Sequence, residues 1–159
     1  MDLIKIGVIG LGCRGRSLLN TSLCCDGVKV VALCDNYQDR IDMAIDMVKE
    51  KQEHKIKVYS DYKKLLADEE IDAVIIASSW DEHIRMAIES MKAGKITAME
   101  VGGAYDLEEC WELVRTYEET KTPIKIKYIL FVSLMRYEPI YSVSFFINFN
   151  PNTVPAIRV

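Results

Sequence analysis

The sequence lacks the features that mark secreted proteins and proteins held together by disulfides or zinc. Its five cysteines form no CxxC pair, and their odd number argues for reduced thiols instead of a disulfide framework or a zinc site. The amino terminus has no basic start, long apolar core or small-residue cleavage site of the kind found in signal peptides. We therefore expect a cytoplasmic protein without a structural metal.

A strong charge of one sign is also missing. The 159 residues carry a net charge of -4, half of them are hydrophobic and 28% are charged, as is typical of a soluble globular domain. No internal repeat or low-complexity linker interrupts the chain, and its most apolar segment is broken by Arg136, Glu138 and Pro139. We expect neither a nucleic-acid partner nor a membrane partner.

Phenylalanine is absent from residues 1–123, whereas residues 124–159 contain all four. This last segment also carries seven of the fourteen aromatic residues and a charge of +3, against -7 for the part before it. Beyond residue 130 there is neither a sustained helical pattern nor a strand-like alternation. The composition therefore divides the chain into a domain over residues 1–130 and an atypical apolar tail over residues 131–159.

The most informative pattern that is present lies in the first thirty-five residues. The apolar run Ile4–Ile9 leads into residues 10–15, Gly-Leu-Gly-Cys-Arg-Gly, and a second apolar run, Val28–Leu33, stops at Asp35. This order predicts a strand, a glycine turn that opens a helix, and a second strand that ends in a carboxylate, as at the entrance of a dinucleotide-binding fold. A tight strand-to-helix turn without a ligand is the structural alternative.

Each glycine of this turn has its own expected role. Gly10 lets the chain turn sharply off the strand, Gly12 leaves room for a pyrophosphate, and Gly15 lets the helix pack closely on the sheet. The amide groups at the start of the helix then face the phosphates.

The carboxylate of Asp35 favours NAD as the cofactor. It lies twenty residues after Gly15, where a carboxylate accepts hydrogen bonds from both ribose hydroxyls and repels a 2′-phosphate. NADP is the alternative, because Arg14 or Arg40 near the ribose would neutralise the extra phosphate.

The alternation of strand and helix signals continues along the chain. It predicts an α/β protein of the Rossmann type, a doubly wound parallel sheet with helices on both faces. The later elements are predicted as a helix over 40–51, a strand over 58–60, a short helix capped by Asp61, a strand over 71–77, a helix from Asp81 to Gly94, a strand over 96–101, a helix with a capping box of Asp106 and Glu109, and a strand over 124–130. The last helix is expected to bury Leu107, Trp111 and Val114.

Two loops should join the glycine turn at the carboxyl edge of the sheet, where ligands bind in such folds. In the first loop, residues 78–83, Ser78 and Ser79 suit a ribose or phosphate. Trp80 is expected beside the nicotinamide or in the core, and His83 is expected to bond a ribose, to fix the loop or to lie on the surface. In the second loop, residues 100–105, Glu100 is the best candidate for a polar cofactor contact. The residues expected to bind the cofactor are Gly10, Leu11, Gly12, Cys13, Arg14, Gly15, Asp35, Asn36, Arg40, Ser78, Ser79, Trp80, His83 and Glu100.

Several of these segments together resemble the nucleotide-binding domain of the glucose–fructose oxidoreductase and inositol dehydrogenase family, Gfo/Idh/MocA. The resemblance covers residues 3 to about 123 and rests on residues 10–15, 32–35, 80–83, 91–95 and Glu100. Residues 100–105 and 108–114 are similar to a subgroup that includes NAD-dependent glycosidases acting on N-acetylgalactosamine. Many dehydrogenases of the family carry Glu-Lys-Pro at this strand end, but Val101-Gly102 follows Glu100 here, so that lysine is absent.

The resemblance implies hydride transfer between a sugar or polyol carbon and tightly held NAD. In the glycosidase variant a sugar hydroxyl is oxidised transiently, the glycosidic bond is eliminated, water adds and the hydride is returned. Either route uses groups on a second, carboxyl-terminal substrate domain, which this sequence lacks. We therefore expect an NAD-binding domain with little or no turnover and with a sugar or polyol substrate only if that second domain is supplied. A stand-alone NAD-binding module is the alternative, and no catalytic residue is nominated.

The tail does not resemble the continuation of this family. We interpret it as a displaced reading frame or a premature end after about Pro123. A native arm that packs on a partner subunit is the alternative, since an exposed apolar segment of this size favours self-association.

Overall fold

The computed structural model describes residues 3–101 and 103–127 of the chain. The strands in this part are β1 (Ile4–Ile9), β2 (Val28–Cys34), β3 (Lys57–Tyr59), β4 (Ala73–Ile76), β5 (Ile96–Glu100) and β6 (Ile124–Lys127). The helices are α1 (Cys13–Leu23), α2 (Gln38–Lys49), α3 (Tyr62–Leu66), α4 (His83–Lys92) and α5 (Leu107–Thr120).

These strands form one parallel sheet in the order β3-β2-β1-β4-β5-β6. From β1 the chain moves outward to β3, and it then returns to the other side of β1 and continues outward to β6. The direction therefore switches between β1 and β4, which pair from Ile6 with Ala73 to Ile9 with Ile76. The predicted doubly wound Rossmann-type sheet is confirmed, and its switch point is where such folds bind ligands.

Apolar side chains cover both faces of the sheet. On one face, α1 and α2 pack Leu19 and Ile41 against β1 at Val8, and on the other, α4 packs Met91 near Ile76 of β4. Each of these side chains is at most 4% exposed, and burying one contributes about 1.5–3 kcal/mol. The two-sided burial explains why the central strands are almost continuously apolar.

The starts of the helices differ in a way that bears on function. Asp61 accepts a hydrogen bond from the Lys63 N–H at 2.9 Å and caps α3, and Asp106 accepts one from the Glu109 N–H at 2.9 Å and caps α5, as the sequence predicts. Helix α1 begins after Gly12 without any side-chain cap. Its first amide groups therefore remain available to a ligand.

The prediction for the buried face of α5 is wrong. Leu107 is 70% exposed and Trp111 is 50% exposed, whereas Leu113 and Thr116 are buried. The helix carries two apolar stripes, and the one that includes Leu113 is turned toward the core; of the stripe predicted to face inward, Val114 is half-buried, whereas Leu107 and Trp111 lie toward solvent. Periodicity identifies such stripes but does not say which one meets the neighbouring helix.

Some predicted boundaries shift by one or two residues. The helix predicted over 40–51 spans Gln38–Lys49, and the strand predicted over 71–77 is shortened to Ala73–Ile76. Residues 128–130 of the predicted sixth strand and the whole tail, 131–159, lie outside the described residues. Within the described ranges, no helix has both the length and the apolar character needed to cross a membrane.

Candidate functional site

The glycine turn lies against the loop that follows β4, at the switch point of the sheet. Gly10 adopts a φ of +87°, and a Cβ there would approach the Ala77 carbonyl oxygen to 2.5 Å. A Cβ on Gly15 would lie 1.8 Å from the Gly10 oxygen. Both positions require glycine because the backbone itself occupies the space of a side chain.

Gly12 differs from its two neighbours. No atom lies within 4 Å of a Cβ built on it, so neither the fold nor the packing requires glycine there. It precedes the uncapped amino terminus of α1, where partial positive charge and free amide groups favour an anion. The open space beside Gly12 therefore fits a phosphate-containing ligand.

Asp35 is placed at the end of β2, next to the turn. Its Oδ2 accepts a hydrogen bond from the Leu11 N–H at 2.6 Å and its Oδ1 accepts one from the Tyr37 N–H at 3.0 Å. The side chain is only 6% exposed. The carboxylate thus fixes the glycine turn, and each oxygen retains a further lone pair for a ligand.

Arg40 stands beside this carboxylate at the mouth of the site. Its Nη1 lies 4.0 Å from Asp35 Oδ2, and its guanidinium carbon lies 4.3 Å from the centre of the Tyr37 ring. The arginine side chain is 40% exposed. It is therefore held by a cation–π contact and a long ion pair while remaining accessible to a bound molecule.

A cavity of about 770 Å³ opens at this edge of the sheet. Seven of the predicted residues line it, namely Gly10, Gly12, Asp35, Asn36, Arg40, Ser78 and Ser79. Sequence reasoning missed others from the ends of β2 and β3 and from α4, among them Tyr37, Ser60, Asp61, Tyr62, Arg85 and Met86. Ser60 and Asp61 could have been assigned to the site because they directly follow a strand that borders β2.

The other predicted residues do not line this cavity. Leu11 is fully buried, Gly15 packs against the turn, and Cys13 is exposed at the start of α1. Trp80 is 58% exposed in a 3-10 turn, Trp80–Glu82, that precedes α4. Three more predicted residues form a separate polar cluster: Arg14, His83 and Glu100.

This polar cluster draws on α1, α4 and the end of β5, with His83 and Glu100 buried and the Arg14 side chain 29% exposed. Arg14 Nη2 donates to Glu100 Oε1 at 2.9 Å, and Glu100 is only 3% exposed. His83, 4% exposed, bonds through Nε2 to the Ser78 carbonyl oxygen at 3.2 Å, so Nε2 carries the proton. Arg14 Nε, Glu100 Oε2 and His83 Nδ1 are buried without a partner among the described residues.

Burial sets the protonation of two groups near the site. It lowers the pKa of His83, although the Ser78 carbonyl and the Glu100 charge act in the opposite direction, so the imidazole is neutral at pH 7. Burial also raises the pKa of the Cys34 thiol to about 12, with Asp35 and Asp61 adding to the effect. The Cys34 thiol is therefore protonated and is not a nucleophile at neutral pH.

The fold and this site define a class of protein, the NAD-binding Rossmann domains. Residues 4–128 match the Gfo/Idh/MocA family, described as an oxidoreductase family with an NAD-binding Rossmann fold. The chain belongs to this family and is its NAD-binding domain, which confirms the resemblance and the cofactor that the sequence implied.

Relatives of the chain are longer than it is. A glycosyl hydrolase family 109 protein of Shewanella baltica (strain OS195) is 41% identical over 125 residues, covering 76% of this chain and 27% of that protein. A glycosyl hydrolase family 109 protein of strain OS155 is 39% identical with the same coverage. The chain therefore spans about a quarter of the length of these curated relatives.

Solved structures with the same fold include dehydrogenases. A probable dehydrogenase from Thermotoga maritima is 26% identical with a TM-score of 0.66, over 77% of this chain and 35% of that one. The scyllo-inositol dehydrogenase of Lactobacillus casei, solved with NAD(H) and scyllo-inositol, is 24% identical with a TM-score of 0.67, over 79% of this chain and 36% of that one. The second likeness shows the shared fold.

Proposed function

We propose that residues 1–130 hold NAD across the carboxyl edge of the sheet as the cofactor domain of a sugar or polyol oxidoreductase. The observation that carries this proposal is the open space at Gly12, since glycine there serves no purpose in the fold and leaves room for a pyrophosphate. NAD would supply hydride acceptance and return, while the chain's own residues bind and orient it.

The phosphates would lie at the start of α1. Gly12 admits them to the amide groups of the helix, and Cys13 and Arg14 follow in the first turn. Leu11 and Gly15 contribute through the shape of the turn, because one is buried in the core and the other packs against the Gly10 backbone.

The adenosine ribose would lie against the end of β2. Asp35 is held by two backbone amide groups with lone pairs left for the ribose hydroxyls, and Asn36 lines the same wall. The buried negative charge favours NAD over NADP. Arg40 limits that preference, because its exposed guanidinium is within reach of a 2′-phosphate.

The remaining residues would serve the nicotinamide half. Ser78 and Ser79 line the cavity on the side of β4, and Trp80 presents an exposed ring just beyond them. His83 holds the backbone of this loop through Ser78, and Glu100 sits at the end of the next strand. We propose Glu100 as the polar contact of that half, reached when Arg14 shifts on cofactor binding.

A second candidate function is that of the cofactor domain of an NAD-dependent glycosidase. Two observations favour it, the 41% identity to a glycosyl hydrolase family 109 protein and the presence of Val101 in place of a lysine after Glu100. Both candidates act on a sugar, and both need the second domain of the family. We expect little or no turnover from the chain by itself with either kind of substrate.

The cysteines and the tail bear on where the protein is found and on whether it associates with itself. We propose a cytoplasmic protein, supported by five cysteines that are all unpaired in the structure. The composition of residues 131–159 supports self-association through this apolar tail. Light scattering on the purified chain would distinguish a defined dimer, as expected for a native arm, from monomer or polydisperse aggregate.

Calorimetric titration with NAD tests the proposed function. The unaltered chain should bind one NAD saturably, and Gly12→Val should abolish binding while lowering the stability by no more than about 1 kcal/mol, the cost of valine at the first position before the helix, because the new side chain enters open space. Ser17→Val is the matched control, since Ser17 is exposed one turn further along α1. Equal NAD binding by the Gly12→Val variant would remove the phosphate site from the glycine turn.

A further inference from the structure

The amino-terminal part of β2 has an outer edge that β3 does not cover. Strand β3 pairs only with the last three residues of β2, 32–34. On the inner edge, the Ile4 N–H donates to the Gly27 carbonyl oxygen at 2.9 Å. Successive residues of a strand direct their N–H and C=O groups to alternate edges, so Val28 and Val30 present theirs on the outer edge, the side of β3. These backbone groups need partners from elsewhere in the chain.

The side chain of Gln52 supplies two of these partners. Its Oε1 accepts a hydrogen bond from the Val30 N–H at 3.2 Å, and its Nε2 donates to the Val28 carbonyl oxygen at 3.4 Å. In a parallel ladder, one residue of the neighbouring strand makes this same pair of bonds, to the carbonyl before its partner and to the amide after it. The side-chain amide of Gln52 therefore takes the place of a backbone residue opposite Lys29.

The side chain of His54 continues the series. Its Nε2 lies 2.6 Å from the Val30 carbonyl oxygen, and Nε2 carries the proton because a carbonyl oxygen only accepts. The next pairing along the same edge is the backbone one between Ala32 and Lys57 of β3. Gln52, His54 and β3 thus cover the outer edge of β2 in one uninterrupted order, the first two with side chains and the last with backbone.

The segment that carries these two side chains is itself held in place. The Gln52 N–H donates to the Val48 carbonyl oxygen at 2.8 Å, which ties the segment to the end of α2. The His54 N–H donates to the Gln52 carbonyl oxygen at 3.1 Å, and Ile56 is half-buried against the core beside β2. The backbone of the segment therefore stands further out than a paired strand would, by the length of the side chains that reach inward.

We infer that Gln52 and His54 are a self-blocking contact that closes the edge of β2 against strand addition by a second copy of this chain. An uncovered edge offers N–H and C=O groups to any extended segment, and the same edge of a second copy is the nearest match. Side-chain groups end the ladder, because they satisfy the edge without presenting a new row of backbone groups behind it. The inference goes beyond the proposed function and does not depend on NAD binding.

The test is amide hydrogen exchange at Val30 in the full chain, measured by NMR over a series of protein concentrations, with light scattering on the same samples. In dilute solution the double variant Gln52→Ala/His54→Ala should exchange the Val30 amide about fivefold faster than the unaltered chain, the effect of one lost hydrogen bond. At high concentration its mass should double and the Val30 amide should regain protection, because a second copy pairs there. Association through the tail would raise the mass without protecting this amide.

Gln38→Ala is the matched control, since Gln38 is an exposed glutamine at the start of α2 that bonds to Asp42. It should change neither the exchange of the Val30 amide nor the mass. Unchanged exchange in the double variant, or faster exchange that is the same at every concentration, would overturn the inference. If circular dichroism shows the double variant to be unfolded, Gln52→Ala alone decides by the same two criteria, because it keeps the His54 bond.

Discussion

The two ends of the proposed cofactor site differ in whether their polar groups line the cavity. At the adenosine end, defined by Gly12, Asp35 and Asp61, the residues line a cavity of about 770 Å³. At the nicotinamide end, defined by Arg14, His83 and Glu100, the histidine and the carboxylate are buried, the arginine is partly exposed, and none of the three lines that cavity. One edge of the sheet thus carries an open cavity beside a largely buried polar cluster.

The first turn of α1 joins these two ends. Gly12 borders the cavity, and Arg14, only two residues later, pairs with Glu100 on the other side of the helix. In the proposed binding mode, adenosine would occupy the existing cavity, whereas use of the nicotinamide end would require Arg14 to leave Glu100. Each of the three residues of that end has a buried polar atom without a hydrogen-bond partner in the described part of the chain, so each has bonding capacity left for a new partner.

The largest expected effect separates glycines that serve the fold from the one that serves the ligand. Gly15→Ala should destabilise the chain by about 3 kcal/mol or more, because its Cβ would lie 1.8 Å from the Gly10 oxygen and the helix must move. Gly12→Ala should change the stability by less than about 1 kcal/mol. Urea unfolding followed by circular dichroism measures both, and a Gly15→Ala variant as stable as Gly12→Ala would contradict the packing role.

An intermediate effect is expected at the nicotinamide end. Glu100→Ala should cost about 2 kcal/mol of unfolding free energy, because it leaves the mostly buried Arg14 guanidinium without its partner. Glu108→Ala is the control, since it removes an exposed ion pair with Arg115 and should cost little. Thermal unfolding of the two variants compares them, and equal small losses would mean that the Arg14–Glu100 pair does not stabilise the fold.

The smallest effect is a pH dependence. Burial lowers the pKa of His83 in the folded chain below its ordinary value of 6.5, so below pH 6.5 the unfolded chain binds more protons at this residue. The contribution of the neutral His83 side chain to the free energy of unfolding is complete above pH 6.5, and it is lost as the pH falls toward the pKa of His83 in the folded chain. His83→Gln, which can still donate to the Ser78 carbonyl, should flatten the stability profile between pH 5 and 7, and an unchanged slope there would exclude His83 as its source.

Local patterns predicted the adenosine end well. The bounds of β1, the Asp61 cap, the sharp turn at Gly10 and the close packing at Gly15 follow from short-range backbone chemistry, and the structure agrees with them. The contribution of Ser60 and Tyr62 to the cavity was missed, because it arises from strand order. No signal within the segment after β3 reports this contribution, and only the strand order of a doubly wound sheet, which places β3 beside β2, would have assigned these residues to the site.

The nicotinamide end was harder to predict because side-chain direction decides it. Arg14 and Glu100 are 86 positions apart, and nothing in either segment indicates that they pair. His83 was equally compatible with a ribose contact, a role within the loop or a surface position until its burial and its bond to Ser78 were seen. The error at Leu107 and Trp111 has the same origin, since a helix with two apolar stripes does not specify which one is buried.

The central claim, that the adenosine end is the formed part of the site, is tested most directly by titrating the chain with halves of the cofactor. ADP-ribose, which lacks the nicotinamide ring, should bind saturably and within about threefold of NAD, a difference of less than 1 kcal/mol. Nicotinamide mononucleotide should show no saturable binding. Tight binding of nicotinamide mononucleotide together with weak binding of ADP-ribose would contradict the account.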